Sequence, residues 1–278
     1  MLYLKHFGLT EMPFGITPDT SFTYSGQSHQ EALNTLMLAL SEGEGFVKIS
    51  GEVGTGKTLL CRRMLQTLGE GWVTAYLPNP NLDAGTLFMA LAEELGVKEP
   101  ARLDQYHLLR EINHALLNFA RDKKRVAVLI DEAQAMPLET LEALRLLSNL
   151  ETEKRKLLHI VLFGQPELDA KLNRPEIRQL LQRIAFHYRL GGIRKNEIAN
   201  YVAHRLRVAG YRGEGLFSRN ALRALHRASG GTPRLVNILA HKALMAVYGE
   251  GRQTAKVRHV RLARKDTEGA HRIGWLWG

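Results

Sequence analysis

A glycine-rich segment is the clearest chemical signal in the sequence. The segment GEVGTGKT, from Gly51 to Thr58, has the spacing G-x-x-x-x-G-K-[ST]. It follows the apolar stretch GFVKIS and opens the amphipathic stretch TLLCRRMLQTLG, so it joins a predicted strand to a predicted helix. Glycines permit close approach of backbone amides to an anion, and amides at a helix N-terminus bind phosphate. The segment therefore predicts a site for a nucleoside triphosphate.

Each part of this loop has an expected role. In this pattern Lys57 reaches the β- and γ-phosphates, and the hydroxyl of Thr58 is a ligand of Mg²⁺. The full set of residues predicted to bind the nucleotide here is Gly51, Glu52, Val53, Gly54, Thr55, Gly56, Lys57, Thr58 and Leu59.

Two adjacent carboxylates form a second signal. The stretch VAVLIDEAQ is a near-continuous apolar strand, of the kind buried in a parallel sheet, and it ends on Asp131 and Glu132. Beside a phosphate loop, Asp131 would hold Mg²⁺ through its water shell, and Glu132 would orient and activate the attacking water. The second acid favours hydrolysis over passive binding.

Hydrolysis also needs groups that respond to the γ-phosphate. Gln165 ends another apolar strand and can bond that phosphate or the water; the alternative is a residue that caps a helix. Arg234, in GGTPRLVN, can reach back to the γ-phosphate from the start of a helix. An arginine finger for a neighbouring subunit is expected among Arg174, Arg178 and Arg183; each can instead be a surface arginine.

The distribution of elements predicts the fold class. Strands alternate with helices up to about residue 190, which is typical of an α/β parallel sheet, and the remainder reads as helices divided by glycines. We expect a nucleotide-binding domain over 1–190, a small helical domain over 191–268, and a basic, aromatic tail over 269–278 that contains Trp275, Leu276 and Trp277. Ser28, with Glu31 three residues on, is predicted to cap the first long helix.

Charge is unevenly placed along the 278 residues. From Arg189 onward there are 18 Lys and Arg against 5 Asp and Glu, whereas the preceding residues have 20 against 23. This asymmetry favours a polyanionic partner such as nucleic acid, anionic lipid or an acidic protein; a solvated basic surface is the alternative. The sequence has no secretory signal and no membrane-spanning run, and its one cysteine, Cys61, fits a reducing compartment, so we expect a cytoplasmic protein.

Together these motifs resemble those of the AAA+ ATPases. The resemblance implies that GEVGTGKT is Walker A, VLIDE is Walker B, Gln165 is sensor 1, Arg234 is sensor 2 and Arg183 is the arginine finger. It also implies an αβα core with a C-terminal helical lid, ATP and Mg²⁺ as cofactors, and a homo-oligomeric ring or spiral with ATP at subunit interfaces.

The longer stretches HFGLTEMPFGITPDTSFTYSGQSHQEAL, IDEAQAM, FGQPEL and GGTPRLVNIL resemble the ExeA/GspA group of secretion and pilus ATPases, and most closely its MshM branch of MSHA-type pilus biogenesis. The resemblance implies that His29, with Phe14 and Tyr24, lies near the adenine; packing of a turn is the alternative. Some members continue into a membrane helix and a peptidoglycan-binding part. Because this sequence ends at Gly278 without them, we expect inner-membrane pilus or secretion proteins to link it to the envelope, with peripheral localisation there.

A DNA-binding ATPase is the alternative function. Transposition helpers such as TniB resemble the chain through the same motifs, and the basic last third of the sequence suits contacts with DNA phosphates.

Overall fold

The computed structural model describes residues 2–17, 19–147, 149–152 and 155–271. They form two compact units. The sheet unit comprises residues 31–53 and 60–190, and the helical unit comprises the residues up to 30, residues 54–59 and those from 191 onward. The expected tail residues Trp275, Leu276 and Trp277 lie outside the described part of the chain.

The sheet unit is built on a parallel sheet. The strands of the chain are β1 (Phe46–Ser50), β2 (Trp72–Leu77), β3 (Arg125–Ile130), β4 (Glu151–Thr152), β5 (Arg155–Lys156), β6 (Leu158–Gly164) and β7 (Ile184–Arg189). Five of them pair in parallel in the order β2-β3-β6-β1-β7, and β4 with β5 forms a separate antiparallel hairpin that the sequence pattern did not predict. The predicted parallel α/β sheet is confirmed.

The α-helices follow the predicted distribution. In chain order they are α1 (Leu2–Phe7), α2 (Gln27–Glu42), α3 (Lys57–Thr67), α4 (Ala84–Glu94), α5 (Gln105–Arg121), α6 (Leu138–Leu147), α7 (Pro166–Leu172), α8 (Arg178–Leu181), α9 (Ile198–Val208), α10 (Arg219–Ser229), α11 (Pro233–Gly249) and α12 (Val257–Lys265). Within the described residues, no helix combines the length and the apolar composition that crossing a bilayer requires.

Alternate residues of the central strands bury opposite faces of the sheet. On β3, Val126, Val128 and Ile130 contribute to one apolar core, whereas Ala127 and Leu129 contribute to the other. This period of two is the geometry of a strand, and burial on both faces explains why these strands read as continuous apolar runs.

The sheet order decides which loops meet. The carboxyl ends of parallel strands lie at one edge, and β3, β6 and β1 are consecutive neighbours. Their register pairs Ser50 with Gly164, and Ile130 with Leu162. The loops that begin at Gly51, Asp131 and Gln165 therefore leave the sheet side by side.

The helical unit encloses aromatic residues from the start of the chain. Its apolar core combines Phe7, Phe14 and Phe22 with residues of α9 to α12. The ring of Phe14 meets that of Phe217 edge-on at 6.0 Å, and Nε of Arg205 donates to the carbonyl of Pro13 over 2.6 Å. The first 30 residues thus differ from the expected domain division, because their aromatic side chains are buried in the helical core rather than against the sheet.

The start of α2 corrects one prediction. The helix begins at Gln27, so Ser28 lies in its first turn rather than at its N-cap, and the predicted capping box is wrong. The backbone N–H of Gln27 donates to Oε1 of Glu197 over 2.8 Å, and Oγ of Ser28 accepts from the N–H of Gly191 over 2.9 Å. A carboxylate distant in sequence therefore accepts the backbone N–H of the first residue of α2.

Candidate nucleotide-binding site

The phosphate-binding loop connects β1 to α3. The N–H of Gly51 donates to the carbonyl of Gly164 over 3.1 Å, which extends the pairing of β1 with β6 by one residue. Gly54 and Gly56 then adopt φ angles of +78° and +97°. This left-handed region is open to glycine and costly for other residues, so the loop has a backbone that its two glycines permit.

Close neighbours also require these glycines. A Cβ on Gly54 would lie 2.6 Å from Cβ of Arg234, and one on Gly56 would lie 2.7 Å from Nε2 of His29. The N–H of Arg234 also donates to the carbonyl of Gly54 over 3.2 Å. Within the helical unit, Arg234 and His29 are therefore in contact with the glycines of the loop.

The donors of the loop suit a triphosphate. Lys57 is the first residue of α3 and so stands at a helix N-terminus, which has a partial positive charge. Thr55 and Lys57 are buried and Thr58 is half-buried, whereas Glu52 and Val53 are exposed. Backbone amides and an ammonium group at a helix N-terminus donate hydrogen bonds to phosphate in such loops. A hydroxyl oxygen beside them can bind Mg²⁺.

Contacts of Gly192 and Gly231 also fix the backbone that leads into α11. The N–H of Ile193 donates to the carbonyl of Gly231 over 2.7 Å, and a Cβ on Gly192 would lie 2.7 Å from that same oxygen. The ring Nε2 of His226 bonds the carbonyl of Ile193 over 3.0 Å. Contacts within the helical unit therefore fix the turn just before Arg234.

Asp131 is held at the end of β3. Its N–H donates to the carbonyl of Leu77 over 3.0 Å, and its Oδ1 accepts from the N–H of Glu132 over 2.9 Å. Burial raises the pKa of Cys61, and the Asp131 carboxylate raises it further, which places that carboxylate beside α3. Burial, followed by the nearby Cys61 and Asp131, likewise raises the pKa of Tyr76. Cys61 is fully buried and its thiol stays protonated.

Glu132 and Gln165 are brought into direct contact. Nε2 of Gln165 donates to Oε2 of Glu132 over 3.0 Å, so the predicted base and the predicted sensor 1 share a hydrogen bond. Glu132 has a φ of +52°, an uncommon backbone for a residue that is not glycine. Gln165 also stands at the N-cap of α7, but its side chain makes no capping bond there.

Gln134 was missed by the sequence analysis. Its Nε2 donates to Oε2 of Glu132 over 2.5 Å, and its Oε1 accepts from the N–H of Gln165 over 3.0 Å. The available signal was a polar residue between two alanines, two positions beyond the predicted base, in EAQAM.

Comparisons with known proteins find similar sequences and similar folds. The sequence model of the AAA domain family matches residues 40–172. Over its whole length the chain is 41% identical to General secretion pathway protein A of Aeromonas hydrophila, and it spans about half, 51%, of that protein. The chain is similar along its whole length to General secretion pathway protein A and contains a match to an AAA domain. The finer resemblance to MSHA-type pilus biogenesis is not tested by this match.

Solved AAA+ structures show the same fold. Cdc6p of Pyrobaculum aerophilum superposes with a TM-score of 0.67 at 21% identity, over 89% of this chain and 70% of that one. The Aeropyrum pernix ORC2 protein, solved as ADPNP-ADP complexes, gives 0.65 at 17% identity, over 92% and 73%. RuvB, the Holliday junction branch migration motor of Thermotoga maritima, gives 0.56 at 15%, over 87% and 69%. The predicted AAA+ fold is confirmed.

Arg183, the first choice for the arginine finger, lies apart from Glu132 and Gln165. Arg183 directly precedes β7, whereas the other two residues follow the carboxyl ends of β3 and β6. β7 has six residues, and at about 3.3 Å per residue it is about 20 Å long. The amino ends of the parallel strands therefore lie about that far from their carboxyl ends. Arg174 and Arg178 precede Arg183 and are exposed. Arg183 is therefore separated from Glu132 and Gln165 of the same chain by about the length of a strand.

The residues expected near the adenine separate into two kinds. Phe14 is a core residue of the helical unit, and the ring of Tyr24 lies against Tyr201 and His204. Packing therefore accounts for both aromatic residues. His29 differs, because its ring reaches the glycine loop at Gly56.

Proposed function

We propose that this chain binds ATP with Mg²⁺ and hydrolyses it to ADP and phosphate. The contact between Glu132 and Gln165 carries the proposal, because it joins a candidate general base to a candidate phosphate sensor at one edge of the sheet. The same edge receives the loop that leaves β1 at Gly51.

Each residue then has a role. Lys57 and the amides of Gly51 to Leu59 would hold the phosphates, and Thr58 and Asp131 would hold Mg²⁺, which would supply positive charge beside the phosphate oxygens. Glu132 would accept a proton from the attacking water as the water oxygen bonds to the γ-phosphorus and the bond from that phosphorus to the oxygen of ADP breaks. Gln165 and Arg234 stabilise the charge on the γ-phosphate, Arg183 does so from a neighbouring subunit, and His29 lies toward the base.

Two variants test the activity. Lys57→Ala should lose nucleotide binding, whereas Glu132→Gln should bind ATP and lose turnover, because only the second leaves the phosphate loop intact. Fluorescence of a labelled ATP analogue and phosphate release measure the two effects. Lys124→Ala and Glu139→Gln, which change exposed residues outside the site, are matched controls. Hydrolysis by Glu132→Gln at the rate of the unchanged protein would contradict the assigned mechanism.

In the cell we propose that the chain is a homo-oligomer that supports a type II secretion machine or an MSHA-type pilus from the cytoplasmic side of the inner membrane. Its 41% identity to a protein named for the general secretion pathway supports this role. Glu132→Gln should accumulate in the ATP-bound state, so its crosslinked complexes should contain inner-membrane pilus or secretion proteins. Recovery of DNA and recombinases instead would replace this proposal.

A DNA titration makes the same distinction with purified protein. The exposed arginines of α10, Arg219, Arg223 and Arg227, are four residues apart, and within the described residues no carboxylate lies at ion-pair distance from any of them. Such a surface would bind duplex DNA with an affinity that falls steeply with salt. For a secretion ATPase, we expect duplex DNA to leave the hydrolysis rate unchanged at low and at moderate salt.

A further inference from the structure

We propose that Gln134 is a positioning residue that holds the carboxylate of Glu132 for hydrolysis. This inference rests on the ATPase activity proposed above and assigns a role to a side chain two residues beyond the Walker B string VLIDE. The side-chain amide of Gln134 donates to Glu132 through Nε2 and accepts from the backbone of Gln165 through Oε1. One side chain therefore bridges the two residues.

The contacts form a closed ring. Gln134 bonds Oε2 of Glu132 over 2.5 Å and the N–H of Gln165 over 3.0 Å, and the side chain of Gln165 returns to the same Oε2 over 3.0 Å. The two bonds of Gln134 orient its side-chain amide. The two bonds to Oε2 orient the carboxylate of Glu132. A ring of this kind defines positions more closely than any of its bonds alone.

A short 3₁₀ turn places Gln134 within reach. The turn spans Ala133–Ala135, and the N–H of Ala135 donates to the carbonyl of Glu132 over 2.8 Å. Ala133 and Met136 are fully buried and anchor the turn on either side of the half-buried Gln134. The backbone of the turn is thus fixed, and Gln134 projects from it toward Glu132.

Helix α7 holds the same turn from the opposite side. Nζ of Lys171 donates to the carbonyl of Gln134 over 2.5 Å and to that of Met136 over 2.8 Å. Gln165 directly precedes this helix. Gln165, just before α7, therefore bonds the side chain of Gln134, and Lys171, within α7, bonds its backbone carbonyl.

The position of the two donors favours catalysis by Glu132. Both reach Oε2, so Oε1 is the oxygen that can accept the proton of the water. The terminal torsion of a glutamate is broad, and a base that rotates freely spends little time in the reactive geometry. Under the proposed function the two N–H groups of the Gln165 amide serve the γ-phosphate as well as Glu132, so Gln134 shares the task of holding the carboxylate.

The isosteric change Gln134→Met tests this role. It keeps the length of the side chain and removes both polar atoms, so kcat should fall roughly 10- to 100-fold while KM and ADP affinity stay within about twofold, as expected for an interaction needed in the transition state. Gln179→Met, an exposed glutamine on α8, is the matched control and should leave kcat unchanged. A merely structural role would instead lower the melting temperature and ADP affinity together.

A double-mutant cycle separates Gln134 from the rest of the site. If Gln134 acts through Glu132, then adding Gln134→Met to Glu132→Gln should not lower the residual rate further. An undiminished kcat in Gln134→Met, beside an active unchanged protein, would overturn this inference and leave the ATPase proposal standing. Absence of hydrolysis by the unchanged protein would overturn both. Should Gln134→Met fail to fold, Gln134→Asn, whose shorter amide cannot span both partners, must show the same fall in kcat.

Discussion

The backbone N–H of Arg234 donates to the carbonyl of Gly54 over 3.2 Å. This bond joins the first turn of α11 to the phosphate-binding loop without using the guanidinium group. The side chain of Arg234 is exposed and therefore stays available for a ligand. The contact explains why a glycine stands at position 54 and leads to two separate predictions, one for the loop and one for the arginine.

Gly54→Ala should weaken nucleotide binding about tenfold or more. The left-handed backbone costs a residue with a Cβ about 1–2 kcal/mol, and 1.4 kcal/mol corresponds to a factor of ten. The new Cβ would also lie 2.6 Å from that of Arg234. Titration with a fluorescent ATP analogue measures the affinity. Gly69→Ala is the control, because a Cβ there meets nothing within 4 Å; equal affinities for the two variants would contradict the prediction.

Arg234→Ala should lower the hydrolysis rate and leave the fold intact. Its contact with Gly54 uses the backbone and survives the change, so the loss is that of a positive charge beside the γ-phosphate. We expect a fall of roughly 10- to 100-fold in kcat, in the range of other electrostatic groups in active sites. Arg223→Ala, an exposed arginine of α10, controls for net charge. Comparable losses in both variants would show that Arg234 has no special role.

Arg183 should act on the site of a neighbouring subunit. Arg183→Ala and Lys57→Ala should each be inactive alone, since the first lacks the finger and the second lacks the nucleotide. Mixing them should restore part of the activity, because an intact Arg183 from the second variant completes the site of the first. Phosphate release from a titrated mixture measures this effect.

Single substitutions, read together with the mixture, identify the finger among the three arginines. Arg174→Ala and Arg178→Ala should keep most of their activity alone if Arg183 is the finger. A mixture of Arg183→Ala and Lys57→Ala that remains inactive at every ratio, although the subunits associate, would rule out action in trans by Arg183.

Protonation of buried histidines should destabilise the protein in acid. Burial lowers the pKa of His159, against the opposing effect of its bond to the carbonyl of Glu44. The unfolded chain therefore binds this proton at a higher pH than the folded chain does. The free energy of unfolding should fall as the pH drops below about 6.5, by at most about 1.4 kcal/mol per pH unit for one proton.

Urea unfolding at pH 7.5 and 5.5 measures this loss. His159→Gln should reduce the difference between the two pH values, and His114→Gln, whose side chain is 58% exposed, should not. Other histidines with a lowered pKa contribute the remaining slope: His187, His204 and His241. An unchanged difference in His159→Gln would refute its part in the effect.

The central strands were predictable because local sequence determines them. The runs around β1, β3 and β6 are apolar on both faces, and the residues that follow them are the loop glycines, the acid pair and Gln165. Parallel strands put such residues at one edge, so their proximity follows from sequence order and general topology alone.

Contacts between distant segments were not predictable from local patterns. Capping by Glu197 at Gln27 joins residues far apart in sequence, as does burial of Phe14 against Phe217. Gln134 was not predictable for another reason. Its role depends on the φ of Glu132, which turns the chain so that the side chains of Glu132 and Gln134 meet. Neither a motif nor a periodicity encodes that angle.

The left-handed backbone of Glu132 costs stability at this residue. A glutamate there gives up about 1 kcal/mol relative to a residue at ease in that region. Asparagine tolerates the conformation better but is too short to keep the bonds from Gln134 and Gln165, so Glu132→Asn should lose turnover with little change in melting temperature. The contacts of the carboxylate therefore offset the cost of its backbone, which allows a glutamate to remain where the proposed hydrolysis needs a base.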